Sequence, residues 1–165
     1  MSEIHTHQAS PSPSATLYFE DFQEGQTFDL GSLTLTTEEI VSFAKNYDPQ
    51  PFHLDPAAAR AHRFGRLIAS GWQTAALWNR HFVDTFLSRT ISLGSPGLSN
   101  LSWPNPVEPD QQHIASFRIH RLEPSRSHHD VGKLFGEGTM ALDEDDDALV
   151  LQLSLLILVG RRPGE

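Results

Sequence analysis

The sequence predicts an α+β fold in which an antiparallel β-sheet wraps around one long α-helix. Three observations carry this. The segments run strand, then helices, then strands to the end. The helical block closes on a long stretch, Trp72 to about Ser88, that is apolar over a broad surface. After Gly94 the chain reads as strands set between proline, glycine and acidic turns.

Each element has its own signal. Residues 1–16 are polar and rich in Ser and Pro, and read as a disordered leader; residues 17–165 read as a single domain. Gln26 to Thr36 alternates well enough for a first strand. Thr36 with Glu39 three residues on makes a capping box, and Ile40, Phe43, Ala44 and Tyr47 follow as one apolar stripe. Pro49 stops that helix. Asn46 to Pro56 (NYDPQPFHLDP) holds three prolines and reads as a stiff, shaped loop. Asp55 then caps a short helix with Pro56 at its first position, and Gly65 ends it. Ser70-Gly71 opens the long helix, whose apolar residues suggest that it is covered on most sides, with Ala75 and Ala76 close to the sheet. Leu98 to Trp103 is a short strand stopped by Pro104-Asn105-Pro106. In Gln111 to Leu122, residues His113, Ala115, Phe117, Ile119 and Arg121 share one face. Val131 to Leu142 follows, with Gly132, Gly136 and Gly138 read as easing twist or bulges. Asp143 to Asp147 is an acidic turn without the glycine and final glutamate of a calcium loop, and Ala148 to Val159 is the last strand.

Composition narrows the function classes. The chain has 165 residues and a formal net charge of -9, with no Lys/Arg cluster, which argues against a nucleic-acid partner. There is no cysteine, which removes disulfides and thiolate chemistry and fits a reducing, cytoplasmic location. The apolar run Ala148 to Gly160 is too short for a membrane helix, and no membrane partner is expected. His5 and His7 lie in the leader, and His62 and His81 have no second ligand at metal spacing, so no metal site is expected.

Two features suit chemistry. Asp48 and His53 sit five apart on the stiff loop, where a neutral imidazole and a carboxylate can hold a water and move its proton. On the loop alone, a plain corner between helices is the leading account. Ser70-Gly71 places free backbone N–H groups at the positive end of a long helix, where a carbonyl oxygen gaining charge is stabilised. Alone, a capping Ser beside a small packing residue again leads. Together the two features form a compact way to bring a water-holding pair and an oxyanion site into one pocket.

The chain also resembles the MaoC-type hot-dog family, which includes (R)-specific enoyl-CoA hydratases and acyl dehydratases. The resemblance runs from Tyr18 to Val159. It is carried by Tyr18 to Gly25, by Asp48-x-x-Pro51-x-His53-x-Asp55, by Phe64 to Gly71, and by Leu98 to Asp110 with its Trp103-Pro104-x-Pro106-Val107. Gln50 stands where the family usually has Asn. The resemblance implies a lyase of fatty-acid metabolism acting on acyl-CoA. Asp48 and His53 would be catalytic, Pro51 and Asp55 would shape the loop, and Ser70 and Gly71 would serve the thioester oxygen. The acyl tail would lie near Trp72 and Trp78, with Asn79 near a position where hydratases often carry Ser. It further implies no metal or redox cofactor, coenzyme A or acyl carrier protein as carrier, and a homodimer or higher homo-oligomer. The alternatives are thioester hydrolysis, for which no D-x-x-G-H segment is present, and a non-catalytic acyl-thioester-binding partner.

Overall fold

The computed structural model describes residues 16–143 and 145–164. The expected leader lies outside these, Thr16 excepted. Five strands, β1 (Thr27–Leu33), β2 (Ser92–Ser102), β3 (His113–Pro124), β4 (Val131–Leu142) and β5 (Asp145–Gly160), form one antiparallel sheet in the order β1-β3-β4-β5-β2. Four helices stand between the first two strands: α1 (Thr37–Tyr47), α2 (Pro51–Leu54), α3 (Pro56–Ala61) and α4 (Gly71–Thr85). The predicted α+β arrangement is the one found. No helix among the described residues is long and apolar enough to cross a membrane.

Local rules placed most boundaries. The Thr36 hydroxyl accepts the Glu39 N–H at 3.2 Å and the Glu39 carboxylate accepts the Thr36 N–H at 2.8 Å, the reciprocal box read from the sequence. Asp55 caps α3 by accepting from Ala57 N–H at 2.8 Å. The proline-rich loop differs from expectation, because its middle is a helical turn. Pro51 sits at the first position of α2, where a missing N–H costs nothing and φ is already helical. α3 stops at Ala61, before Gly65, which serves a later turn with φ +70°. β2 begins at Ser92 rather than Leu98; as an edge strand it absorbs Gly94, Pro96 and Gly97 through breaks in register.

The core lies between α4 and the sheet. Trp78, Phe82 and Phe86 recur every four residues and stack in a row, with ring centroids 4.8 Å and 5.0 Å apart. Phe117 of β3 packs against Phe82 at 4.7 Å and against Phe86 at 5.1 Å. Burying each such ring contributes about 2–3 kcal/mol. The Trp78 indole N–H is shared between the Ser116 and Thr139 carbonyls, at 3.2 Å and 3.1 Å. The glycines of β4 clear space for rings: a Cβ on Gly138 would stand 2.1 Å from Trp78, and one on Gly132 equally close to Phe19. The sequence alone assigns them to twist or bulges, because a contact across sixty or more residues leaves no local mark.

Within one chain α4 is covered on one side only. Trp72 and Ala76 are exposed, Val83 is exposed too, and Ala75 alone of the two alanines packs against the core. Tyr47 is likewise exposed at the end of the α1 stripe, whose buried members are Ile40 and Ala44. In β3 the face shared by His113, Ala115, Phe117 and Ile119 is the buried one. A register shift between Ile119 and Arg121 then turns Arg121 outward.

His113 opens β3 inside the core, and neither ring nitrogen has a partner of hydrogen-bond geometry among the described residues. Burial pushes its pKa down, and the nearby Gln111 backbone pulls the other way to a smaller extent. The folded chain thus keeps His113 neutral at a pH where the unfolded chain takes up a proton. Stability is full above the ordinary histidine range, about 6.5, and falls as pH drops below it. Urea midpoints measured from pH 7.5 to 5 should decline, and His113→Leu should flatten that decline. An unchanged slope in the variant would assign the decline to other groups.

Candidate active site

Asp48 is where α1 ends. Its N–H still donates to the Ala44 carbonyl at 3.0 Å, but Pro49 and Pro51 prevent another turn. The chain then enters α2, which carries His53 inward to a buried position. His53 Nδ1 lies 2.7 Å from the Ile68 carbonyl oxygen. A carbonyl can only accept, so Nδ1 carries the hydrogen and Nε2 of the neutral ring is bare. That bare Nε2 stands 3.4 Å from Asp48 Oδ2.

The carboxylate is held from two further sides. The Ser70 hydroxyl donates to Oδ2 at 2.7 Å, and the Gln50 side-chain amide donates to Oδ1 at 2.8 Å. Burial raises the Asp48 pKa, but the Ser70 and Gln50 hydrogen bonds and the nearby His53 outweigh it. The carboxyl is therefore held below its usual range. Ser70 is itself fully buried and caps α4 by accepting the Trp72 N–H at 3.2 Å. One hydroxyl thus ties the acid to the start of the long helix. The N–H of Gly71, the first residue of α4, has no acceptor among the described residues.

His53 and Gly71 belong to the wall of a cavity of about 590 Å³. The wall also includes Phe52, His62, Phe64, Trp103, Val107 and Val150. Asp48 stands just outside it, its side chain one-fifth exposed beside His53.

Asp48, His53, Ser70 and Gly71, read from the sequence, are brought together. Pro51 opens α2 and Asp55 caps α3, so both shape the segment that presents His53. Trp72 and Asn79 are exposed and do not line the cavity. Trp78, beside which an acyl tail was expected, is buried in the core with its N–H engaged. The cavity runs instead past Thr74, Val107 and Val150. Sequence reasoning missed the Gln50 amide, the Ile68 carbonyl and the Trp103 wall. The Gln50 signal was available, since a side-chain amide two residues from an Asp on a turn can reach it.

A five-stranded antiparallel sheet packed on one long helix is the hot-dog arrangement. Residues 21–133 match the sequence profile of the MaoC like domain, and the chain belongs to that family. Its fold superimposes on the MaoC-like dehydratase from Rhodospirillum rubrum with a TM-score of 0.78 and 34% identity, covering 89% of this chain and 99% of that one. The (R)-hydratase from A. caviae shares the fold at a TM-score of 0.65 and 23% identity, over 84% of this chain and 97% of that one. The uncharacterized protein YdeM of Bacillus subtilis (strain 168) is 28% identical over 108 residues, 66% of this chain and 77% of the relative.

Proposed function

We propose that the protein adds water to a trans-2-enoyl-CoA, or removes it from an (R)-3-hydroxyacyl-CoA. One observation carries this reading: His53 Nε2 and Asp48 Oδ2 face each other as two acceptors 3.4 Å apart. Two acceptors do not bond to each other, but a water can donate one proton to each. Its oxygen lone pair is then free to attack.

In the hydration direction the water oxygen forms a bond to Cβ, and one O–H bond breaks toward the His53–Asp48 pair. The π electrons of the Cα–Cβ double bond move toward the thioester carbonyl, whose oxygen gains charge. The Gly71 N–H, on the positive end of α4, is the donor for that oxygen. The proton held by the pair then passes to Cα on the same face, which closes the balance. Dehydration reverses each step. The lowered Asp48 pKa keeps the carboxylate charged, so it can orient the water by accepting its hydrogen bond.

Purified protein mixed with crotonyl-CoA should lose the absorbance of the conjugated enoyl thioester without release of free thiol. Thiol release would instead assign hydrolysis. No change across a panel of chain lengths and branched enoyl-CoA substrates would remove the hydratase reading and leave a non-catalytic thioester binder.

A further inference from the structure

Trp103 lies in the proline-rich turn that leaves β2, and its indole rests directly on the first residue of α4. A Cβ built on Gly71 would stand 2.7 Å from Trp103 Cδ2 and Cε2 and 3.1 Å from Cγ. No side chain larger than a hydrogen fits at residue 71 while the ring stays where it is. Trp72 meets the same ring edge-on, with centroids 5.3 Å apart at 73°.

Core packing does not account for this ring. Trp103 is 38% exposed, whereas Trp78 is 2% exposed. The turn that carries it is nevertheless fastened on two sides. The Asn105 side-chain amide donates to the Leu149 carbonyl at 2.8 Å, and the Ala69 N–H donates to the Val107 carbonyl at 2.8 Å. The indole is therefore a fixed wall of the cavity that also contains His53. It stands against the backbone of Gly71, whose N–H, like that of Gln73, has no acceptor among the described residues.

We propose that Trp103 is a positioning residue for the oxyanion site: its indole fixes the first turn of α4 and keeps water from the Gly71 N–H. The inference rests on the enoyl-thioester reading above. A donor that must first shed a competing water stabilises a developing charge less than one held dry and already aimed. The effect belongs to the transition state, where the oxygen is charged, and not to binding of the neutral thioester.

The test compares the wild-type chain with Trp103→Phe and Trp103→Ala. In crotonyl-CoA hydration, Trp103→Ala should lower kcat by about 10- to 100-fold with KM within about threefold, since loss of a whole oxyanion donor costs about 100- to 1,000-fold. Trp103→Phe, which keeps a flat ring, should restore kcat to within about threefold of wild type. A rise in KM with unchanged kcat would overturn the proposal, because Trp103 would then only bind substrate. Amide exchange followed by NMR gives a second readout that needs no turnover. The Gly71 amide should exchange at least tenfold faster in Trp103→Ala while β4 amides keep their rates, and an unchanged Gly71 rate would overturn the shielding. Should Trp103→Ala not fold, Trp103→Leu takes its place in both measurements. A wild-type chain that turns over no enoyl thioester would remove the functional reading by itself, and the exchange rates would still decide the shielding.

Discussion

Asp48→Asn and His53→Ala are each expected to lower kcat/KM for enoyl-thioester hydration by about 100- to 10,000-fold, the range a positioned acid/base group supplies. Circular dichroism should stay near wild type, and Tm should fall by only several degrees, the cost of the hydrogen bonds lost. The Asp48 carboxylate accepts from Ser70 on one oxygen and from Gln50 on the other, and it faces His53 Nε2. An amide has only one accepting atom, so Asn cannot keep both bonds and also take a proton from water. His53→Ala removes the bare Nε2 and leaves the Ile68 carbonyl without its donor. Full activity in either variant would refute the site. The acid dependence has a definite sign. The Asp48 pKa is lowered in the folded chain, so its contribution to stability is complete above the ordinary aspartate range, about 3.9. That contribution is lost only as pH falls through the lowered value. Acid unfolding of Asp48→Asn should be flatter than wild type below about pH 4.

Gly138→Ala is expected to be strongly destabilising. The new Cβ would stand 2.1 Å from Trp78 Cζ2, 2.6 Å from Cε2 and 2.7 Å from Cη2. The indole cannot swing aside cheaply, because its N–H is held by two strand carbonyls and its face is stacked on Phe82. Overpacking of this kind costs about 1–3 kcal/mol, occasionally more. At this chain length that lowers Tm by roughly 2–10 °C. The double variant Gly138→Ala/Trp78→Phe separates the cause from a general effect on strand β4. With the larger ring gone, the added methyl should cost clearly less than in wild type. Equal costs in the two backgrounds would show that the ring contact is not what reserves this position for glycine.

The site was legible wherever its residues also obey local rules. Asp48 and His53 stand out because prolines 49, 51 and 56 force an unusual segment around them. Ser70 and Gly71 stand out because a capping residue precedes a long apolar run. Their connection was not legible. The Ser70 hydroxyl reaches a carboxylate 22 residues earlier, and His53 is oriented by a backbone oxygen 15 residues later. A carbonyl has no residue identity to read. Gln50 shows the same limit from the other side, since only the bend after α1 reveals that its amide meets Asp48.

By itself the sequence determined the run of strand, helices and then strands, the α+β class, the helix starts at Thr36, Asp55 and Ser70, and which residues of β3 share a face as far as Ile119. These follow from interactions within a few residues: caps, proline geometry and periodicity. Only the tertiary structure decided which glycines receive rings, where β3 turns Arg121 outward, why the helix side bearing Trp78 is core while Trp72 is exposed, and how Trp103 comes to lie on Gly71. Each of these depends on two segments distant in sequence competing for the same few ångströms, and close packing rather than local propensity settles that competition.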